Sequence, residues 1–264
     1  MILMRLLAGF VLALSLVSGA EAGQFVQFKS GDVTLTGYLA KPAGQGTFPA
    51  VVLLHGCGGF HSSMLTWADR LAYRGYASLA VDSFGPRGIT SNCGGFAEQA
   101  GDGYAALHYL VQQAFVRADR VALMGFSMGG ISTLASLEKG SIGGLFPDKF
   151  RAGIAFYPRC LAFSGLITVP TLILIGDQDD WTPAGDCADM VAGKSTLGTV
   201  RPPGDRSNVK LVVYPGARHA FDVVDLGLVP GGVTMLGHRL EYNEAATKDS
   251  MLQVSDFLKR QLNE

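Results

Sequence analysis

A serine held between glycines is the first residue in this sequence that could do chemistry. The stretch GFSMG, residues 125–129, completes the pattern G-x-S-x-G directly after an apolar run. In a sharp strand-to-helix turn, side chains at the flanking positions would clash, so glycine is needed there and the serine oxygen is held out over the end of the sheet. The first amides of the following helix favour negative charge nearby. The pattern predicts that Ser127 is a nucleophile rather than a small residue in a structural turn.

A serine hydroxyl is a poor nucleophile at neutral pH, so this chemistry needs a histidine base and a carboxylate that orients it. His219 stands in YPGARHAFD, directly after the last predicted strand, where a loop can carry its imidazole over Ser127. His219 is therefore the predicted base. For the histidines at other points of the topology we expect surface or packing roles: His61, His108 and His238.

The acid is expected in the segment LILIGDQDDWTP, which offers Asp177, Asp179 and Asp180. Asp177 directly follows the glycine and is predicted to serve the turn. Asp180 lies beside Trp181 near a helix start, where an acid can favour the helix dipole. Spacing alone does not choose among the three; Asp179 is preferred, with Asp180 second.

An oxyanion hole must supply donors to the charge that a tetrahedral intermediate develops. The Met128 N–H, directly after the nucleophile, is one predicted donor. The second is expected from the glycine-rich turn in LLHGCGGF, where the Cys57 N–H is the first choice and Gly58 the second. We expect His55 to brace this turn rather than to transfer protons.

These residues must be positioned by alternating strands and helices. Apolar strands alternate with helices predicted over 62–74, 96–113, 128 to about 137, from Thr182 onward, and 244–262. Such alternation predicts an α/β fold with a doubly wound, mostly parallel sheet, in which ligands bind beyond the carboxyl ends of the strands. Two segments rich in Gly and Pro are expected to be long loops, 193–209 and 222–243.

The N-terminal residues have the order of a secretory signal peptide. Arg5 precedes an apolar run over 6–17, and the A-x-A pattern ends at Ala22. The alternative is an uncleaved anchor, but the run is shorter than the roughly 18 to 20 residues that span a bilayer. We therefore expect a signal peptide over 1–22, one domain over 23–264, and an exported protein in the periplasm or the medium.

Composition limits the partners. The formal net charge is −1, with acids and bases mixed along the chain of 264 residues, so neither a nucleic-acid surface nor a basic membrane patch is expected.

The four cysteines match no zinc pattern, and neither a metal nor another cofactor is expected. In an oxidising compartment they would pair in one of three connectivities; the alternative is free buried thiols. We expect a small ester as the substrate and a monomer or small homo-oligomer.

Several motifs together carry a resemblance to a known family. The segments LLHGCGG, DSFGPRG, GFSMGG, GDQDDWTP and GARHAF resemble the dienelactone hydrolase family of the α/β-hydrolase fold. The resemblance implies an eight-stranded, mostly parallel sheet flanked by helices and a triad of Ser127, Asp179 and His219. In that family the acid stands four residues before a proline, so the resemblance favours Asp179, which stands four residues before Pro183. It also implies oxyanion donors at Cys57 and Met128.

The departures from that family concern specificity. Its namesakes use a cysteine nucleophile and a glutamate in the turn after the third strand, where this chain has Ser127 and Gly56. They bind a substrate carboxylate with arginines, one shortly after the histidine, where residues 222–224 are Asp, Val and Val. Arg87 and Arg159 could still take such a part. The departures favour an exported serine carboxylesterase over a lactone-specific enzyme.

The strand order that the resemblance implies makes a disulfide pairing predictable. In this fold the strands ending near Cys57 and Cys93 are neighbours, as are those ending near Cys160 and Cys187. The implied bonds are therefore 57 with 93 and 160 with 187.

The leading functional hypothesis is ester hydrolysis through a covalent acyl-serine. A peptidase or acyltransferase on the same triad is an alternative, and a catalytically inactive binding protein is a third. The segment between FYP and TLILIG is too short for a large cap domain. We therefore expect an open site covered mainly by 222–243, with Trp181 and Phe221 among its apolar walls.

Overall fold

One large sheet organises the protein. The computed structural model describes residues 21, 23–93, 99–194, 197, 201 and 207–264. The strands of the sheet are β1 (Gln24–Ser30), β2 (Val33–Ala40), β3 (Phe48–Leu54), β4 (Ala77–Asp82), β5 (Val116–Phe126), β6 (Ala152–Phe156), β7 (Thr171–Gly176) and β8 (Val209–Tyr214). Their spatial order is β1-β2-β4-β3-β5-β6-β7-β8. β1 and β2 run antiparallel to their neighbours, and the pairs from β4 to β8 are parallel.

The middle strands are apolar on both faces because helices cover both sides of a parallel sheet. All residues of β6 and β7 are buried, as is every residue of β3 after Phe48. In contrast, β1 at the edge of the sheet is mostly exposed or half-buried. The hydrophobic core therefore lies around the strands whose carboxyl ends carry the predicted site.

Five α-helices are described around the sheet: α1 (Ser62–Tyr73), α2 (Gln99–Val111), α3 (Met128–Leu137), α4 (Ala184–Ala192) and α5 (Glu244–Leu258). α1 packs against β4, α3 against β5 and β6, and α5 against β7. The Asn243 side chain caps α5 by accepting a hydrogen bond from the Ala246 N–H at 3.0 Å. The predicted α/β-hydrolase fold is confirmed, with a mostly parallel sheet of eight strands.

Helix α4 begins one residue later than predicted. Thr182 is the expected N-cap residue, with Pro183 in the first turn, but in the structure Pro183 is the N-cap residue and Ala184 the first helical residue. Instead of capping the helix, the Thr182 hydroxyl donates to Asp179 Oδ2 at 2.8 Å.

The predicted loop over 222–243, called the cover segment below, contains regular structure. It holds a 3₁₀ helix (Val224–Leu228) and a hairpin of β9 (Val233–Met235) and β10 (His238–Leu240). The Glu241 N–H donates to the His219 carbonyl at 3.2 Å. The end of β10 is thus paired through its backbone with His219, the predicted base. This pairing joins residues about 20 positions apart, and a Gly-rich composition does not reveal it.

Two disulfide bonds link loops at the carboxyl side of the sheet. Cys57 is bonded to Cys93 with a Cα–Cα distance of 4.7 Å, and Cys160 to Cys187 with a distance of 4.8 Å. These are the two predicted pairs, and they fit folding in an oxidising compartment. In the part of the chain that the structure describes, no helix has the length and apolarity to cross a membrane.

Candidate active site

The turn between β5 and α3 places Ser127 in a strained conformation. Ser127 has φ 53° and ψ −113°, outside the regions that most side chains adopt. A Cβ atom on Gly125 would lie 2.0 Å from the Gly129 carbonyl oxygen, and one on Gly129 would lie 2.2 Å from the Leu54 carbonyl oxygen. Both glycines are therefore required by close backbone contacts, as the sequence pattern predicted.

A chain of hydrogen bonds joins the three predicted catalytic side chains. His219 Nε2 lies 2.9 Å from Ser127 Oγ, and His219 Nδ1 lies 2.8 Å from Asp179 Oδ2. Because the ionised carboxylate can only accept, Nδ1 carries the proton and Nε2 is free to accept from the serine hydroxyl. His219 and Asp179 are both buried. This arrangement can remove a proton from Ser127 as its oxygen attacks an electrophile.

The surroundings of Asp179 keep its carboxylate ionised. Oδ1 accepts hydrogen bonds from the Trp181 N–H at 3.0 Å and the Thr182 N–H at 2.8 Å. Burial raises the pKa of Asp179, but the hydrogen bonds from His219 and Thr182 outweigh it, so the net shift of the pKa is downward. At neutral pH the charge on Asp179 therefore orients His219.

The two other acids in the same segment have different partners. Asp177 Oδ1 accepts from the Gly216 N–H at 2.7 Å, which fits its predicted role in the turn. Asp180 Oδ1 accepts from the Arg239 N–H at 3.3 Å and lies 3.6 Å from His238 Nδ1. Of the three, Asp179 is the one hydrogen-bonded to His219.

The two amides predicted as oxyanion donors, those of Met128 and Cys57, belong to the two turns that adjoin Ser127. Met128 is the first residue of α3, so its N–H has no acceptor within the helix. Cys57 lies in the turn after β3, and its N–H makes no hydrogen bond within the residues that the structure describes. A Cβ on Gly56 would lie 3.6 Å from Ser127 Cβ, which places this turn against the serine. Cys57 and Gly58 both line the cavity described below.

His55 restrains the same turn through a hydrogen bond to its backbone. Its ring is fully buried, and its Nε2 accepts from the Ser83 N–H at 3.3 Å. The proton is therefore on Nδ1, which donates to the Gly56 carbonyl at 2.7 Å. Burial lowers the pKa of His55, so the ring is neutral at neutral pH. The Asn92 N–H donates to the Cys57 carbonyl at 2.9 Å, and Cys57 is also bonded to Cys93. These two interactions restrain Cys57, the residue that follows Gly56 in the turn.

Ser127 and His219 open into a cavity of about 310 Å³. Its apolar walls come from α1, the segment after β7 and the cover segment. They include Met64, Trp67, Trp181, Leu226, Val233, Met235 and Leu240. Trp181 thus lies where a substrate wall was predicted, and the cover segment supplies much of the lining.

The other three predicted substrate-binding residues lie outside this cavity. Phe221 is fully buried and packs against neighbouring aromatic rings in the core. Arg87 pairs with the buried carboxylate of Asp102 at 2.8 Å. Arg159 is exposed at the surface and is not among the residues that line the cavity. None of the three predicted substrate contacts is present. Phe221 is packed in the core, Arg87 is paired with Asp102, and Arg159 extends into solvent.

A buried carboxylate in the cavity wall was not predicted as a functional residue. Asp222 Oδ1 accepts from the Tyr157 hydroxyl at 2.7 Å, and Oδ2 accepts from Trp67 Nε1 at 2.9 Å. Burial raises the pKa of Asp222. Burial, together with the Asp222 charge, raises the pKa of Tyr157 well above its ordinary value. The position of Asp222 three residues after His219 is the one local signal that could have drawn attention to it.

A metal site would need several ligating side chains in one place. In the described ranges, no group of three or more His, Cys, Asp or Glu residues could hold a metal ion.

Comparisons with known proteins show the family of this chain. A sequence profile of the Dienelactone hydrolase family matches residues 35–262. A Bradyrhizobium sp protein named "Probable 2-oxo-3-(5-oxofuran-2-ylidene)propanoate lactonase" is 27% identical over 208 residues, covering 70% of this chain and 77% of that protein. A cutinase from Thermobifida alba is 30% identical over 154 residues, covering 56% of this chain and 48% of the cutinase.

A solved structure shows the same fold. The thermophilic esterase from Thermogutta terrifontis superposes with a TM-score of 0.64 at 18% identity, covering 90% of this chain and 92% of that chain. Because the family profile spans most of the sequence, family membership does not depend on this distant likeness. The chain belongs to the dienelactone hydrolase family, and its class is that of hydrolases acting on esters.

Proposed function

We propose that this protein is a serine carboxylesterase that hydrolyses small esters, lactones included, through an acyl-serine intermediate. The observation that carries the proposal is the hydrogen-bond chain from Ser127 through His219 to Asp179, whose serine end opens into an apolar cavity. A dead binding protein would need neither the strained serine turn nor the oriented base.

In the proposed acylation step, Ser127 Oγ attacks the ester carbonyl carbon and His219 Nε2 takes the serine proton. The carbonyl oxygen becomes an oxyanion, to which the Cys57 and Met128 N–H groups donate. When the intermediate collapses, the bond to the alcohol oxygen breaks and His219 returns the proton to that oxygen. Asp179 stabilises the imidazolium that exists between these proton transfers.

In the proposed deacylation step, His219 takes a proton from a water molecule as the water oxygen attacks the acyl carbon. Collapse of the second intermediate releases the carboxylic acid, and His219 returns the proton to Ser127 Oγ. For a lactone, the alcohol and the acyl group belong to one molecule, so ring opening and release give a single hydroxy acid.

The cavity supports small, mainly apolar ester groups as substrates. Its volume of about 310 Å³ lies at the lower end of the range for small-molecule sites. Two relatives, one named as a lactonase and one as a cutinase, support lactones and esters as the substrate class. The serine nucleophile supports a general carboxylesterase rather than a lactone-specific enzyme.

We further propose that the protein is exported after cleavage near Ala22. The two disulfide bonds support this location because such bonds persist in oxidising compartments. N-terminal sequencing of protein recovered from the periplasm or medium is expected to begin near residue 23. A mature chain that starts at Met1 inside the cytoplasm would overturn this part of the proposal.

Turnover of short-chain aryl esters by purified protein tests the catalytic proposal. Wild type is expected to hydrolyse the esters and to lose activity to a serine-directed phosphonate. Ser127→Ala is expected to lose at least about 10⁴-fold in kcat, the scale on which triad residues act. Ser132→Ala, which removes a buried hydroxyl from the same helix, is the matched control and should retain turnover. Cleavage of amides but not esters would favour a peptidase, and equal activity of Ser127→Ala would overturn the serine mechanism.

A further inference from the structure

We infer that Asp222 makes this cavity select uncharged esters and reject esters that carry an anionic group. The inference rests on the proposed function and specifies the substrate class of the same site. It concerns a residue in the cavity wall that takes no part in the proton transfers described above.

The position of Asp222 is fixed by two donors. Asp222 lines the cavity together with Ser127 and His219, and only 4% of its surface is exposed. The indole N–H of Trp67 can only donate, and it occupies one carboxylate oxygen, while the Tyr157 hydroxyl occupies the other. Burial raises the pKa of Asp222, and the hydrogen bonds that Tyr157 and Trp67 donate to its two oxygens oppose that rise by favouring the ionised carboxylate.

Among the lining residues that the structure describes, none is Lys or Arg. The Arg70 guanidinium carbon lies 6.0 Å from the centroid of the Trp67 ring, and its charge favours the ionised form of Asp222, but Arg70 does not line the cavity. The predicted carboxylate-binding residues Arg87 and Arg159 lie elsewhere, as described above. An anionic substrate group would therefore meet a fixed negative charge.

The size of the effect follows from Coulomb repulsion near a protein surface. Two like charges separated by roughly 6 to 8 Å at an effective dielectric constant of about 20 change an equilibrium by on the order of 30-fold or more. We therefore expect at least about tenfold discrimination against an anionic ester. By the same reasoning, a lactone that carries a carboxylate is a poor substrate and an uncharged lactone a better one.

A matched pair of aryl acetates isolates this charge effect. The anionic ester is 4-acetoxybenzenesulfonate, and its uncharged partner of similar size is 4-acetoxybenzenesulfonamide. Both give the same acetyl-enzyme, so the ratio of their kcat/KM values reports binding and acylation alone. Each value is divided by the rate of hydroxide-catalysed hydrolysis, which removes the difference in leaving-group reactivity.

Two variants and a control assign the discrimination to one side chain. Asp222→Asn keeps the shape, and its amide can still accept from Trp67 and donate to the Tyr157 oxygen. Asp222→Ser is a second uncharged replacement, which serves if the amide disturbs folding. Asp225→Asn removes the same charge from an exposed position on the cover segment, three residues away.

Wild type and Asp225→Asn are expected to favour the sulfonamide by at least about tenfold, and both Asp222 variants by less than about threefold. Equal corrected kcat/KM values in wild type, or an unchanged ratio in a folded Asp222 variant, would overturn the inference. Dissociation constants of the same two esters are also measured by calorimetry on Ser127→Ala and on the double variant Ser127→Ala/Asp222→Asn. The ratio of the two constants must match the kcat/KM ratio of wild type in the first protein and that of the Asp222 variants in the second. If wild type lacks Ser127-dependent turnover, the proposed function fails, while these binding ratios still decide the role of Asp222.

Discussion

The carboxylate of Asp179 shows how single side chains set the chemistry of this site. Its two oxygens accept hydrogen bonds from two backbone amides, the Thr182 hydroxyl and His219. These donors hold the carboxylate in one orientation and lower its pKa against the effect of burial. The proposed base is therefore oriented by an acid whose own position is fixed.

Asp179→Asn is expected to lower kcat by about 10³- to 10⁴-fold, because an amide no longer holds the protonated Nδ1 form of His219. Asp180→Asn is the matched control in the adjacent position and should keep kcat near the wild-type value. Steady-state kinetics on one aryl ester distinguish the two. A large loss in Asp180→Asn with little loss in Asp179→Asn would reverse the assignment of the acid.

Thr182→Val tests the hydroxyl that donates to Asp179. A hydrogen bond to a charged group contributes about 1.5 to 3 kcal/mol, so we expect kcat to fall by roughly tenfold or more with little change in KM. Thr182→Ser keeps the hydroxyl and should restore most of kcat. If valine and serine variants behave alike, the loss reflects packing rather than the hydrogen bond.

At the level of elements, the turn after β3 is restrained from several sides. His55 donates to the Gly56 carbonyl, Asn92 donates to the Cys57 carbonyl, and the Cys57–Cys93 disulfide crosses to the next loop. The proposed oxyanion donor is thus the backbone of a disulfide-bonded residue. Fixed donors stabilise a developing charge without reorganising during the reaction.

The double variant Cys57→Ser/Cys93→Ser is therefore expected to lose kcat as well as stability. The control is Cys160→Ser/Cys187→Ser, which opens a disulfide of comparable sequence separation, 27 against 36, whose cysteines are not among the residues that line the cavity. Each double variant should lose about 2 to 4 kcal/mol of unfolding free energy. Denaturant unfolding and ester kinetics measure the two effects, and equal kcat values in both folded double variants would contradict a role in positioning the turn.

At the level of the whole molecule, stability should depend on the neutral form of His55. Burial lowers the pKa of His55 in the folded protein below its ordinary value near 6.5. The stabilisation from the neutral ring is therefore complete above about pH 6.5 and is lost as the pH falls through the folded-state pKa.

Between pH 7 and 5, wild type should lose more unfolding free energy than His55→Gln, by up to about 1.4 kcal/mol per pH unit. Chemical denaturation at several pH values measures the difference. Burial also lowers the pKa of His61, but His61 is present in both proteins and cancels in the comparison. Parallel pH profiles for the two proteins would show that His55 does not couple stability to pH.

Local sequence patterns determined much of this architecture. The apolar strands, the glycines around Ser127 and the two cysteine pairs depend on short-range backbone rules or on the strand order of a recognised fold, and the structure agrees with these predictions. The hairpin β9–β10 depends on pairing next to His219, which no local pattern in a Gly-rich segment reveals.

The walls of the cavity were less predictable because they depend on tertiary contacts. Trp67 and Asp222 are separated by 155 residues, yet they form one hydrogen bond in the cavity wall. Phe221 and Arg87 have side chains suited to substrate binding, but the core and Asp102 hold them. The residue types in the sequence show which side chains could bind a substrate. Which of them face the cavity depends on tertiary packing.

In the proposed reaction, the acyl group of an ester is carried on Ser127 before water releases it. Wild type is mixed with an aryl acetate, quenched in acid within milliseconds, digested and analysed by peptide mass spectrometry. We expect one acetyl group on Ser127 in wild type, and none on the same peptide of Ser127→Ala. Turnover without an acetylated Ser127, or acetylation that accumulates at another residue at the turnover rate, would contradict the account.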